Sequence, residues 1–185
     1  MPEPDEKTII EQARQDPRAF AALYERYIDR IYGFIYRRVG DVTTTQDITS
    51  ATFEQALRNI SKYRWQGISF AAWLYRIARN QIVHYHRRQR FLVPMGLNNS
   101  NHLPDAEADL LAVEERNDIA FAIIQLSDKD QEVLTLRFFE DLSSQDMADV
   151  LGCSKQNAYL RLHRALKRLR KQIEQVQTEK EPSHG

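Results

Sequence analysis

Apolar residues recur at every third or fourth position along most of this chain, and the rhythm fails at one place, between Pro94 and Pro104. Spacings near 3.6 residues put apolar side chains on one stripe of a helix, so the pattern calls for helices that pack by one face. Phe20, Leu23, Tyr24, Tyr27, Ile31, Phe34 and Ile35 mark a first stripe, opened by Asp16-Pro17 and stopped by Gly40-Asp41. A second helix is expected from about Thr45 to Ile60, with Ile48, Phe53, Ala56, Leu57 and Ile60 inward. Ser69 would cap a third, Phe70 to about Arg90. Pro94, Gly96, Asn98, Asn99, Ser100, Asn101 and Pro104 then read as a linker. Helix resumes from Ala106 to about Gln125 and restarts behind Ser127 with Val133, Leu134, Leu136 and Phe138. A helical pair follows, and residues from about Gln177 onward are expected to fray. No stretch alternates as a strand would, and six Gly and six Pro are few for a chain of many tight turns. The expectation is an all-α protein: small helical domains at 1–91 and 113–177, a flexible linker at 92–112 and a tail at 178–185.

Charge narrows the function. Lys and Arg total 26 and so do Asp and Glu, yet the zero sum is segregated. From Gln55 to Arg90 there is no acid, against Arg58, Lys62, Arg64, Arg76, Arg79, Arg87, Arg88 and Arg90. From Gly152 to Gln172 the same holds for Lys155, Arg161, Arg164, Lys167, Arg168, Arg170 and Lys171. Asp105, Glu107, Asp109, Glu114, Glu115 and Asp118 lie between, opposed by Arg116. Two basic blocks around an acidic connector suit a polyanion; solvated helix faces, the alternative, usually mix Glu with Lys. No run approaches the roughly 18 apolar residues of a membrane helix, so no membrane insertion is expected. From the acidic opening, Met1 to Glu6, no secretory signal is expected. The single Cys153 forms neither an internal disulfide nor a thiolate zinc cage, which points to a reducing cytoplasm. His84 and His86 lie about 200° apart on a helix and cannot share a tetrahedral ion. No cofactor is expected.

The third helix divides its faces by chemistry. Phe70, Leu74, Ile77, Ala78 and Tyr85 fall on one side of a wheel, and Trp73, Arg76, Arg79, Asn80, His84 and Arg87 on the other. Arginine contacts phosphate and Asn can bond a base edge, while Tyr63, Trp65 and Trp73 offer flat surfaces for an unpaired base. Burial of the aromatics, Trp73 and Tyr75 above all, is the competing reading. Farther on, Ser144 to Leu162 fits a helix–turn–helix: Gly152 at the turn, Met147, Leu151, Ala158 and Leu162 as shared core, Cys153 as a small buried residue. Ser154 caps the second helix and leaves Lys155, Gln156, Asn157, Tyr159 and Arg161 near its start, where a recognition helix meets base edges; Arg164, Lys167 and Arg168 continue the basic surface.

Phe70-Ala-Ala-Trp73-Leu74-Tyr75-Arg76-Ile77-Ala78-Arg79-Asn80, followed by Arg87-Arg88, resembles the promoter-melting segment of bacterial sigma factors of the extracytoplasmic-function group. Leu126 to Ser143 and the helix–turn–helix behind it resemble the carboxy-terminal domain of the same family. The resemblance implies binding to core RNA polymerase, opening of a −10 element by the first domain and duplex reading of a −35 element by the second. It implies −10 contacts at Tyr63, Arg64, Trp65, Gln66, Gly67, Ser69, Trp73, Arg76, Arg79, Asn80, His84, Arg87 and Arg88, with the Trp65–Ser69 loop receiving a flipped base. For the −35 element it implies Lys155, Gln156, Asn157, Tyr159, Leu160, Arg161, His163, Arg164 and Arg168. Polymerase contacts are implied at Asp47, Ile48, Thr52, Phe53 and Ala56, although Gln46 and Ser50-Ala51 depart from the family pattern. Tyr159 and Leu160 stand where basic and small residues are common. Family members are typically held by an anti-sigma factor, which the resemblance also implies here. Fifteen residues from Phe91 to Asp105 reach roughly 50 Å, more than the about 34–36 Å of one DNA turn. A conventional helix–turn–helix regulator is the alternative; no carboxylate cluster, nucleophile–base pair or phosphate loop supports an enzyme.

Overall fold

The computed structural model describes residues 5–64, 68–92 and 119–180. Among these every regular element is helical. The chain divides into two compact units, a front one of Met1–Ser100 with Asp149–Gly152 and a rear one of Asn101–Ala148 with Cys153–Gly185.

The front unit contains α1 (Glu6–Gln15), α2 (Phe20–Val39), α3 (Val42–Asn59) and α4 (Phe70–Leu92), with α2, α3 and α4 packed on one another. Leu23, Ile31, Phe34 and Ile35 of α2 are fully buried, each worth roughly 1.5–3 kcal/mol. Gly40 ends α2 in the left-handed conformation, φ 73°, and returns its N–H to the Tyr36 carbonyl at 2.8 Å. Asp41 at once caps α3, its carboxylate accepting from the Thr44 N–H at 2.7 Å. α3 therefore begins three residues earlier than the apolar pattern suggests. α1 is not expected from the sequence; it buries Ile9, Ile10 and Ala13 against the unit, and the Tyr27 hydroxyl donates to Glu6. Burial, then that bond, pushes the Tyr27 hydroxyl well above its ordinary range.

The later part of the chain holds residues 119–124 as α5, then α6 (Asp128–Leu134), a π-helical turn (Thr135–Phe139), α7 (Ser144–Leu151) and α8 (Lys155–Lys180). Ser127 caps α6 as expected, and α6 packs against α8. Phe138 departs from its expected core place and stands exposed, because the wider π turn rotates it off the stripe that buries Val133, Leu134 and Leu136. Asp141 follows with φ 50°, a left-handed position that Asp tolerates better than most residues. α8 continues to Lys180, so the fraying expected from Gln177 is not seen up to that residue. The expected helix from Ala106 lies, up to residue 118, outside the described residues.

Candidate nucleic-acid interface

α4 presents two chemistries because its apolar residues follow a single stripe. Phe70, Leu74, Ile77, Ala78 and Ile82 are buried, while Arg76, Asn80, His84, Arg87 and Arg88 are exposed. Arg76 to Arg87 spans about 16 Å of helix. No acid occurs from Gln55 to Pro104, so this face meets no negative side chain of its own segment. Glu54, just before it, is paired with Arg58 at 2.8 Å. Arg79 is half-buried, and Tyr85 is half-buried rather than core.

The aromatics behave differently from the arginines. Tyr63 is 5% exposed, its ring edge-on to Phe70 at 5.5 Å and tilted against Trp73 at 5.0 Å. It cannot offer the open stacking surface expected of it; its hydroxyl donates to the Ile68 carbonyl at 2.7 Å and holds the segment entering α4. Tyr75 is buried, edge-on to Phe34 at 5.2 Å, with the Arg30 guanidinium 5.9 Å from its ring centre. Trp73 remains half-open and lines a shallow groove with Gln55, Asn59, Lys62, Tyr63 and Ile77. Ser69 spends its hydroxyl on the cap, accepting from the Ala72 N–H at 3.1 Å. Arg64 donates to the Ser61 and Tyr63 carbonyls at 2.7 and 3.2 Å. Trp65, Gln66 and Gly67 lie outside the described residues.

On α3, Ile48, Thr52, Phe53 and Ala56 are all buried, which corrects their assignment as a docking surface. Thr52 donates to the Ile48 carbonyl at 2.7 Å, and Phe53 packs edge-on to Tyr24 at 4.8 Å. They build the helix's inner side. Asp47 alone of the expected set is exposed, beside Thr43, Gln46, Ser50, Glu54 and Leu57. That outer row repeats at three and four residues, and its polar spacing is the signal that locates it. Leu57 stands in this row rather than inward.

The later part of the chain builds its surface around one turn. Gly152, φ 64°, reverses the chain, and Cys153, half-buried, donates its N–H to the Ala148 carbonyl at 3.0 Å. Met147, Leu151 and Ala158 are buried as expected, and Leu162 is half-buried. Ser154 accepts the Asn157 N–H at 3.2 Å, so α8 starts where a recognition helix should. Lys155, Gln156, Asn157, Tyr159, Leu160, Arg161, His163, Arg164 and Lys167 are exposed along it. Arg168 is exposed as well, with its guanidinium bound to Asp130 at 2.8 Å. Among the described residues no helix is long and apolar enough to cross a membrane.

The chain matches the family model Sigma-70 region 2 over residues 23–91 and Sigma-70, region 4 over residues 116–169. It is 30% identical to the RNA polymerase sigma-H factor of Pseudomonas aeruginosa over 186 residues, covering 93% of this chain and 95% of that one. With the ECF RNA polymerase sigma factor BldN of Streptomyces coelicolor it shares 35% identity over 150 residues, 78% of this chain and 56% of BldN. The sigma factor RpoE from Bartonella quintana, solved with the anti-sigma factor NepR, superposes with a TM-score of 0.65 at 20% identity, covering 84% of this chain and 96% of that one, a likeness of fold. With exposed basic surface on α4 and along α8, and both Sigma-70 regions matched, this chain belongs to the RNA polymerase sigma factors.

Proposed function

We propose that this chain is the subunit that directs core RNA polymerase to a particular class of promoter, with no catalytic residue of its own. α3 docks on polymerase through its outer row around Asp47. α4 holds the separated −10 strand with Arg76, Asn80, His84, Arg87 and Arg88, Trp73 serving as a partly open stacking surface. Tyr63, bonded to the Ile68 carbonyl, and Ser69, at the cap, hold the start of α4 in place. α8 reads the −35 duplex in the major groove through Gln156, Asn157, Tyr159, Leu160 and His163, with Lys155, Arg161 and Arg164 on phosphate. The work takes place in the cytoplasm, where polymerase and promoter are, and an anti-sigma factor holds the subunit until its signal arrives, as NepR is paired with the Bartonella RpoE.

The exposed, acid-free face of α4 carries this reading. A regulator that leaves the polymerase specificity subunit in place has no use for a second basic surface suited to opened DNA, so that alternative is not favoured. Run-off transcription with bacterial core polymerase tests it. Transcripts from defined promoters should appear only when the protein is added, and an unchanged transcript pattern sinks the proposal.

A further inference from the structure

Two apolar side chains stand on α8 where a groove-reading helix ordinarily presents hydrogen-bonding groups. Tyr159 is 60% exposed and Leu160 39% exposed. Buried Ala158 and Ala165 mark the inner side of the helix. On a 100° wheel Gln156, Leu160, His163 and Lys167 centre the opposite face, flanked by Tyr159 and Arg164. The Tyr159 ring lies almost parallel to the His163 imidazole, centroids 6.5 Å apart and planes 10° from each other. One turn of helix separates the two, so the stack holds the ring against the helix and reduces the rotamer freedom lost on binding.

Leucine has no donor or acceptor, and tyrosine has a single hydroxyl at its tip. Neither can form the two-pronged pair that reads guanine O6 and N7. In the major groove thymine alone among the four bases presents a methyl group, on C5. We infer that Tyr159 and Leu160 make this factor select thymine in the −35 element, sensing the methyl groups at neighbouring steps while Gln156 and Asn157 bond adjacent base edges. The inference rests on the reading of α8 as the −35 recognition helix, and supplies the base class it takes.

The test uses holoenzyme assembled from the full chain and core polymerase. Promoters randomised across the −35 element are selected first, and thymines in the winning duplex are then replaced one at a time by deoxyuridine. That base keeps the O4 acceptor and its pairing and lacks only the methyl. Thymine should be enriched at one or more positions, and each replacement there should weaken binding about fourfold, the scale of one buried methyl. In Leu160→Ala or Tyr159→Ala one of those positions should become indifferent to the replacement. Enrichment of guanine at these positions, or deoxyuridine without effect on the wild-type protein, overturns the inference and leaves the promoter-reading role intact. A holoenzyme that selects no sequence overturns both.

Discussion

Arg168 of α8 donates from one guanidinium nitrogen to both carboxylate oxygens of Asp130, at 2.8 and 2.9 Å. Asp130 sits in the first turn of α6, where the Ser127 hydroxyl also donates to it at 2.8 Å. Its side chain is 10% exposed and that of Arg168 58%, so the pair ties α8 to α6 from a half-open position. Arg168→Ala leaves a nearly enclosed carboxylate short of a charged partner, at a cost of about 1–2 kcal/mol after screening on the arginine side. Thermal melting should therefore fall. The slope of promoter affinity against salt should stay put, whereas removing a cation that sits on phosphate would reduce it by about one. A reduced slope with unchanged melting would return Arg168 to the DNA.

On α3 the two kinds of residue separate cleanly. Phe53 is buried between Phe20 at 6.5 Å and Tyr24 at 4.8 Å, so Phe53→Ala should cost about 3–5 kcal/mol in denaturant unfolding. Asp47→Lys, on the outer row, should change stability by no more than about 0.5 kcal/mol and weaken holoenzyme assembly. Titration of labelled core polymerase with each folded variant checks this. Asp47→Lys binding core as tightly as wild type would move the docking surface elsewhere.

Those examples show where sequence pattern is informative. The faces of α4 are legible because Phe70, Leu74, Ile77 and Ala78 repeat at helical spacing, and the turn at Gly152 because few other residues adopt φ 64° at low cost. Motif matching on α3 misleads, since Ile48, Thr52, Phe53 and Ala56 fall on the buried side of the helix. Asp130, 38 residues upstream of Arg168, lies beyond any local periodicity. α1 is hard to read because its apolar set is Ile9, Ile10 and Ala13 within an otherwise polar ten-residue stretch.

The cap of α3 should respond to acid. Bonds first from the Thr44 hydroxyl and then from its N–H hold the Asp41 carboxyl below its ordinary 3.8. The unfolded chain returns to that value and takes the proton first, so the cap's stabilisation is complete above it and disappears as pH falls through the lowered folded value. Asp41→Ser retains a capping oxygen that does not titrate. Melting curves of the two proteins should keep a constant separation at neutral pH and change it only below pH 3.8. A separation that moves around pH 6 would assign the effect to another group.

The division of labour between the units is best tested at exposed positions, because Trp73 also packs on Tyr63 and Phe70 and its removal would disturb the fold. Asn80 and Arg87 are exposed on α4, Arg161 and Arg164 on α8. Asn80→Ala with Arg87→Ala should slow promoter opening, read by permanganate reactivity of unpaired thymines, and leave closed-complex binding at the −35 duplex within about twofold. Arg161→Ala with Arg164→Ala should weaken closed-complex binding and lower its salt slope by about two, one for each phosphate no longer neutralised. Pre-melted promoter DNA separates the two effects further. It should rescue the first pair, since strand separation has already been supplied, and do nothing for the second. Equal rescue of both would mean that α4 and α8 grip the same form of DNA.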